Sequence, residues 1–140
     1  VAHRRYQGWR DALQRYNMPI DESMIITCDT RAQAIIETPS ILKQNNKPDA
    51  IFCVNDDCAS GVLYAAQILG MKIPDELSIC GFSNAPLCRN TYPMLSTVEQ
   101  HGVEIGKHAM SRLLKRLNGY DRIAHTEMIA TDLIVRETTK

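Results

Sequence analysis

Asn55, Asp56 and Asp57 stand between an apolar run, Ala50 to Val54, and a helical pattern of Gly61, Val62, Leu63, Ala65, Ala66, Ile68 and Leu69. An amide and two carboxylates at such a junction can do two kinds of chemistry. Asp56 or Asp57 can cap the helix, accepting its first N–H groups and placing negative charge at its positive end. The same side chains can also present donors and acceptors to a small molecule, because ligands of open α/β sheets bind beyond the carboxyl ends of the strands. Other reactive residues form no catalytic set. The five cysteines, Cys28, Cys53, Cys58, Cys80 and Cys88, are odd in number, and two of them lie in apolar runs. Buried free thiols in a reducing compartment fit this better than a disulfide framework. The spacing from Cys53 to Cys58 lacks the paired C-x2-C blocks of a zinc site. His101 and His108, seven apart, suit a surface role better than metal binding. With no G-x-S-x-G elbow, HExxH or glycine-rich phosphate loop, the chain is not expected to be an enzyme. No catalytic residue, metal ligand or cofactor is expected.

The composition bounds the partners. A chain of 140 residues suits one domain. Sixteen basic and sixteen acidic residues give a formal charge of zero, so the chain carries no electrostatic footprint for nucleic acid. No run approaches the ~18 apolar residues of a membrane span, and no membrane partner is expected. The start has neither an initiating Met nor a signal-peptide core and opens on a helical pattern, as an excised piece of a longer protein would.

These residues are positioned by alternating helices and strands. Tyr6, Trp9, Leu13 and Tyr16 recur at helical spacing within Arg4–Tyr16, an amphipathic helix that Pro19 should stop. Ser23–Thr27 reads as a short strand. Thr30 and Gln33 have the spacing of a capping box for a second helix. There Pro39 either kinks the helix or sits at the first position of a new turn capped by Thr38. Ala50–Val54 reads as a strand buried on both faces, as in parallel sheets. Gly70 should close the following helix. Leu77–Phe82 is the next strand, Ser83–Tyr92 a loop on the Asn55 side of the sheet, and Pro93–Val98 a brief strand. The longest helix spans about His101–Leu117, ended by Asn118 and Gly119, and Thr126–Val135 is β-rich. The class is α/β: a parallel sheet with helices on both faces.

Several segments resemble one family. Pro48–Gly61 (PDAIFCVNDDCASG) resembles the PDAIFxxNDxxAxG segment of LacI/GalR-type bacterial transcriptional regulators. Gly70–Phe82 (GMKIPDELSICGF) is similar to their G-x-x-[VI]-P-x-D-[IL]-S-[VI]-x-G-[FY]-D up to its last position, and Tyr92–Gln100 (YPMLSTVEQ) to their P-x-L-T-T-V-x-Q. Ile105–Ala109, Leu113–Leu114 and Leu133–Thr139 also match, in the family's order and spacing. The resemblance spans essentially the whole chain. It implies a type I periplasmic-binding-protein-like core, in which two lobes close on a small effector. Residues 1–83 and 126–140 would belong to the C-terminal lobe and about 93–119 to the N-terminal lobe, with one crossing near Ser83–Tyr92. The DNA-binding headpiece would lie outside this chain.

The resemblance also implies roles. Arg5, three residues before the Gly8–Trp9 pair, would contact the effector, and its guanidinium offers five donors in a fixed fork. Asn55 would contact it through its amide, with Asp56 a weaker candidate. Ser83 stands where the family has a carboxylate. A serine cannot accept a bidentate charge-assisted bond, so the effector is expected to carry negative charge or not to be a simple neutral sugar. Cys58, Val62, Leu87 and Tyr92 are candidates for a homodimer face. The expected protein is a cytoplasmic, small-molecule-sensing regulator that meets operator DNA through its headpiece. The alternative is a periplasmic sugar-binding protein of a transport system. The Tyr92–Gln100 segment and the free cysteines favour the regulator.

Overall fold

The computed structural model describes residues 2–120, 123–124 and 126–140. Four helices, α1 (Ala2–Arg15), α2 (Arg31–Leu42), α3 (Asp56–Ile68) and α4 (Gly102–Leu117), alternate with four short strands, β1 (Ala50–Phe52), β2 (Ser78–Cys80), β3 (Thr97–Glu99) and β4 (Asp132–Ile134). Helix ends follow local chemistry. Gly70 and Gly119 take positive φ, and each closes its helix with a paired set of bonds: Met71 N to Ala66 O with Gly70 N to Gln67 O, and Tyr120 N to Lys115 O with Gly119 N to Arg116 O. Helix α1 ends in the same way through Asn17 (φ 55°), two residues before the proline expected to stop it. Helix α2 runs through Pro39 without starting a new turn, and Thr38 is buried rather than capping.

Thr30 Oγ1 accepts from Gln33 N at 3.3 Å, while Gln33 Oε1 reaches one residue further back than in a capping box, to Asp29 N at 2.9 Å. Thr30→Ala should therefore cost about 1 kcal/mol, measurable as a lower urea midpoint at unchanged m-value.

Strand β1 pairs in parallel with β2, Ile51 facing Ile79. The chain continues from β2 into Gly81–Ser83, where Gly81 N bonds Ser96 O at 2.9 Å and Ser83 N bonds Val98 O at 2.8 Å. Strand β3 then pairs antiparallel with β4, Val98 facing Leu133. Thr138 completes the far side of β2: its Oγ1 donates to Ile79 O at 2.7 Å and accepts from Ser96 N at 2.8 Å. Helices α2 and α3 close over this framework, burying Ala34, Ile41 and Leu42 against Cys58, Ala59, Val62, Leu63 and Ala66, with Leu77, Ile79, Cys88 and Leu95 beneath.

Two expectations are corrected. Ser23–Thr27 is not a strand. Asp21 caps a 3₁₀ turn over Glu22–Met24, accepting from Ser23 N at 2.9 Å, and this local bond competes with extended pairing. Ile25, just beyond it, is extended, and Ile26 and Cys28 pack on the core. Strand β1 is more open than expected, because Ala50 and Phe52 are exposed. Within Ser83–Tyr92, Cys88 is fully buried and Ser83 N bonds Val98 O of β3. Helix α4 buries none of its residues and leaves Val103, Leu113, Leu114 and Leu117 exposed.

Candidate functional site

The carboxyl ends of β1 and β2 gather the polar residues. Arg5 reaches them from α1. Its Nη1 donates to the Val54 carbonyl, and its Nη2 donates to Gln100 Oε1 at 3.4 Å. Its guanidinium carbon lies 3.8 Å from the centroid of the Phe82 ring, and Phe82 meets Phe52 edge-on. Burial lowers the Arg5 pKa while Asp56 acts in the opposite direction. Arginine stays charged at any physiological pH, so this edge holds a fixed, half-buried cation stacked on an aromatic face.

Asn55 is the helix cap. Its Oδ1 accepts from Cys58 N at 2.7 Å and its Nδ2 donates to Asp29 O at 3.2 Å. The side chain thus fixes α3 and the 28–29 segment together, and it sits half-buried at the strand end. One N–H and one lone pair remain beyond these two bonds. Asp57 faces outward to accept from Arg31 N at 2.7 Å.

Asp56 is a correction. It was a candidate for both capping and effector contact, yet it is 2% exposed and points into the fold. Its Oδ1 accepts from Thr97 Oγ1 at 2.5 Å and its Oδ2 from Ala85 N at 2.7 Å. A carboxylate occupied in this way joins α3 to β3 and the 84–85 turn, and presents nothing to a ligand. Two dimer-face candidates fail for the same reason. Cys58 and Val62 are 1% and 5% exposed and pack in the core under α2. Leu87 is half-buried against that core, and Tyr92 is 88% exposed.

Ser83 lies at the edge with φ 123°, followed by Asn84 at φ 53°. The backbone there is held by a network that sequence reasoning missed. Asn84 Nδ2 donates to Glu99 Oε2 at 2.8 Å, Arg136 Nη2 donates to Asn84 Oδ1 at 2.6 Å, and Arg136 Nη1 donates to Leu95 O at 2.7 Å. Bonds from the Asn84 amide and the His101 N–H hold the Glu99 carboxyl below its ordinary pKa. His101 Nε2 lies 2.7 Å from Asp132 Oδ2, and His108 Nδ1 lies 2.7 Å from Glu127 Oε1, so the two histidines face separate carboxylates. Among the described residues, no group of three or more His, Cys, Asp or Glu could hold a metal ion. Gln100, Phe82 and Asn84, which also line this edge, were not anticipated. The available signal was their position within a few residues of the ends of β2 and β3. A cavity of about 640 Å³ lies elsewhere, between α4 and Thr126–Glu127.

In open α/β sheets small molecules bind beyond the carboxyl ends of the strands, which is where this chain collects its polar side chains. A family model described as a periplasmic binding protein-like domain matches residues 1–139. The HTH-type transcriptional repressor PurR of Vibrio atlanticus is 33% identical over 140 residues, covering 97% of this chain and 41% of that protein. The ribose operon repressor of Haemophilus influenzae is 32% identical over 139 residues, covering 99% and 42%. Among solved structures, a LacI-type transcription regulator from Bifidobacterium animalis superposes with a TM-score of 0.89 at 29% identity, covering 97% of this chain and 49% of that one. A sugar-binding regulator of the LacI family from Escherichia coli, complexed with phosphate, superposes at 0.85 with 26% identity, covering 96% and 48%. The chain belongs to the periplasmic binding protein-like family, in its branch of LacI-type effector-binding domains. It spans about two-fifths of the length of the curated relatives named here, which are transcriptional repressors and not enzymes.

Proposed function

We propose that this chain is the sensing part of a cytoplasmic LacI-type repressor whose operator-binding headpiece lies in a separate segment of the protein. A small effector binds at the edge formed by Arg5, Asn55, Ser83 and Gln100, and its binding alters lobe closure and operator affinity. The observation that carries this reading is the Arg5 guanidinium, held at the strand ends by the Val54 carbonyl, Gln100 and the Phe82 ring. Among the described residues no helix is long and apolar enough to cross a membrane. Repressors, not transport proteins, are the relatives named above, which favours a regulator over a periplasmic sugar-binding protein.

The C-terminal lobe comprises residues 1 to about 98 together with 126–140, and α4 belongs to the other lobe. The full burial of Leu95, Ser96 and Thr97 beside the first core supports a boundary near Glu99–His101. The antiparallel pair β3–β4 supplies two of the chain crossings, and the exposed apolar face of α4 is covered by the rest of the N-terminal lobe. For the homodimer face, Tyr92 is joined by Tyr64, Ile68 and Leu69 on the outer side of α3, all solvent-exposed, in place of Cys58 and Val62. Gln67 Nε2 ties that side to Tyr92 O at 2.6 Å.

The effector is a sugar derivative or related metabolite carrying negative charge, since the edge presents a fixed cation and Ser83 in place of a carboxylate. Thermal-shift screening of the full-length protein tests this against hexoses, sugar acids, sugar phosphates and nucleobases. A ligand at a hundredfold excess over its Kd adds about 2.7 kcal/mol of stability. Acidic or phosphorylated compounds should raise the midpoint most, and Arg5→Ala should weaken them by about tenfold or more. Neutral hexoses binding far better, or Arg5→Ala leaving affinity unchanged, would sink the proposal.

A further inference from the structure

Next to Asn55 lies a pair of thiols that effector binding does not require. Cys28 Sγ and Cys58 Sγ are 3.7 Å apart, one on the segment before α2 and the other in the first turn of α3. Two polar bonds bridge the same gap: Asn55 Nδ2 to Asp29 O at 3.2 Å and Arg31 N to Asp57 Oδ2 at 2.7 Å. We infer that Cys28 and Cys58 form a redox-responsive pair, whose oxidation closes a disulfide clamping residues 28–31 onto the start of α3. The inference deepens the reading of the Asn55 edge as the effector site, because that clamp would set the position of Asn55.

The geometry favours closure. A disulfide needs its sulfurs at about 2.05 Å, so they must approach by roughly 1.7 Å. The segment carrying Cys28 lies outside the strand pairings, so it can move without breaking a ladder. The thiols are also unequal. Cys28 is half-buried and meets solvent, whereas Cys58 is buried in the core. Burial, with Cys28 beside it, pushes the Cys58 thiol up to about 12. Cys28 is therefore the sulfur that meets an oxidant first.

With a peroxide as oxidant, the Cys28 sulfur attacks one peroxide oxygen. An S–O bond forms, the O–O bond breaks, and the thiol proton leaves with the departing hydroxide as water. The Cys58 sulfur then attacks the sulfenic sulfur of Cys28. An S–S bond forms, the S–O bond breaks, and the Cys58 proton leaves with hydroxide as a second water. Two thiols and one hydrogen peroxide thus give one disulfide and two waters.

The test uses the full-length protein and no effector. One equivalent of hydrogen peroxide is added, remaining thiols are blocked with N-ethylmaleimide, and the protein is digested without reductant. The expected product is a single cross-linked peptide pair carrying Cys28 and Cys58, lost on treatment with dithiothreitol. Amide exchange over residues 28–31 and at Cys58 should slow by about tenfold on oxidation, and should not change in Cys28→Ser. That variant alters the half-buried position and keeps the test readable should Cys58→Ser fail to fold. A cross-link between other cysteines, over-oxidised Cys28 without a cross-link, or unchanged exchange in cross-linked protein would overturn the inference. Because no effector enters this experiment, its failure leaves the effector reading standing, and a failed effector screen leaves the thiol pair standing.

Discussion

Asp56→Ala should destabilise the protein by about 3–5 kcal/mol, more than any other single truncation at the strand edge. The wild-type carboxylate is 2% exposed, and its two oxygens serve different parts of the chain: the Thr97 hydroxyl of β3 and the Ala85 amide beyond β2. Hydrogen bonds to a charged acceptor contribute roughly 1.5–3 kcal/mol each, and a donor left buried without a partner incurs its full desolvation cost. Thr97 is fully buried, so water does not reach its hydroxyl to replace the lost acceptor. The first turn of α3 adds to the loss, because a carboxylate there meets the positive end of the helix. Even Gly81 is fitted to this group, since a Cβ at that position would lie 2.2 Å from Asp56 Oδ1. Asp56→Asn should cost less, about 1–3 kcal/mol, because its carbonyl can accept from Ala85 N and its amide can donate to Thr97 Oγ1, while the charge and the acceptor for the Thr97 O–H are lost. Urea unfolding of the full-length variants, followed by Trp9 fluorescence and far-UV circular dichroism, reads both values. Unchanged stability with selective loss of effector binding would return Asp56 to the contact surface.

That result bears on what the sequence could reveal. Thr30, Gly70 and Gly119 act within a few residues of themselves, and their roles follow from local capping and left-handed geometry. The junction at Asn55 is different. Three consecutive polar residues leave a strand in three directions, and only the fold decides which turns inward. Asp56 was drawn in by a hydroxyl 41 residues away, and Asn55 took the cap in its place. The Arg136–Asn84–Glu99 network joins residues 52 and 15 apart, and no local pattern marks it. The dimer face on α3 failed for a related reason. Val62, Leu63, Ala65, Ala66, Ile68 and Leu69 make the helix apolar nearly all round, so periodicity cannot select an outer side. Only packing against α2 shows that Val62 lies inside while Ile68, 70% exposed, lies outside. Ser23–Thr27 misled through composition: Met24, Ile25 and Ile26 suit a strand, but the Asp21 side chain had already taken Ser23 N. Arg5 became a candidate through the resemblance alone, and what the structure adds is the hold on its guanidinium by Val54 O, Gln100 and the Phe82 ring.

The same substitution, glycine to alanine, should have opposite signs at two helical positions. Gly61 is buried in α3 where that helix crosses α2. A Cβ there would lie 2.5 Å from the Arg31 carbonyl oxygen and 2.8 Å from Ala34 Cβ. The first of these neighbours is backbone in the opening turn of α2, so relief requires moving a whole helix. That turn is also fixed by Thr30 and by the Arg31 N bond to Asp57. Overpacking of this kind costs typically 1–3 kcal/mol. Alanine's higher helix propensity, worth about 1 kcal/mol, offsets only part of a clash with immobile backbone. Gly61→Ala should therefore lose about 2 kcal/mol net, and displacement of α2 should loosen the tie between Asn55 and Asp29. Gly8 lies in α1 with nothing within 4 Å of its would-be Cβ. Gly8→Ala there meets no neighbour and should gain about 0.5–1 kcal/mol from propensity and reduced unfolded-state entropy. Chemical denaturation of the two variants side by side separates packing from propensity, because both substitutions add the same methyl group to a helix interior. A Gly61→Ala protein as stable as wild type would mean that α2 and α3 are not in the close contact described, and the position of Asn55 would then lose its support.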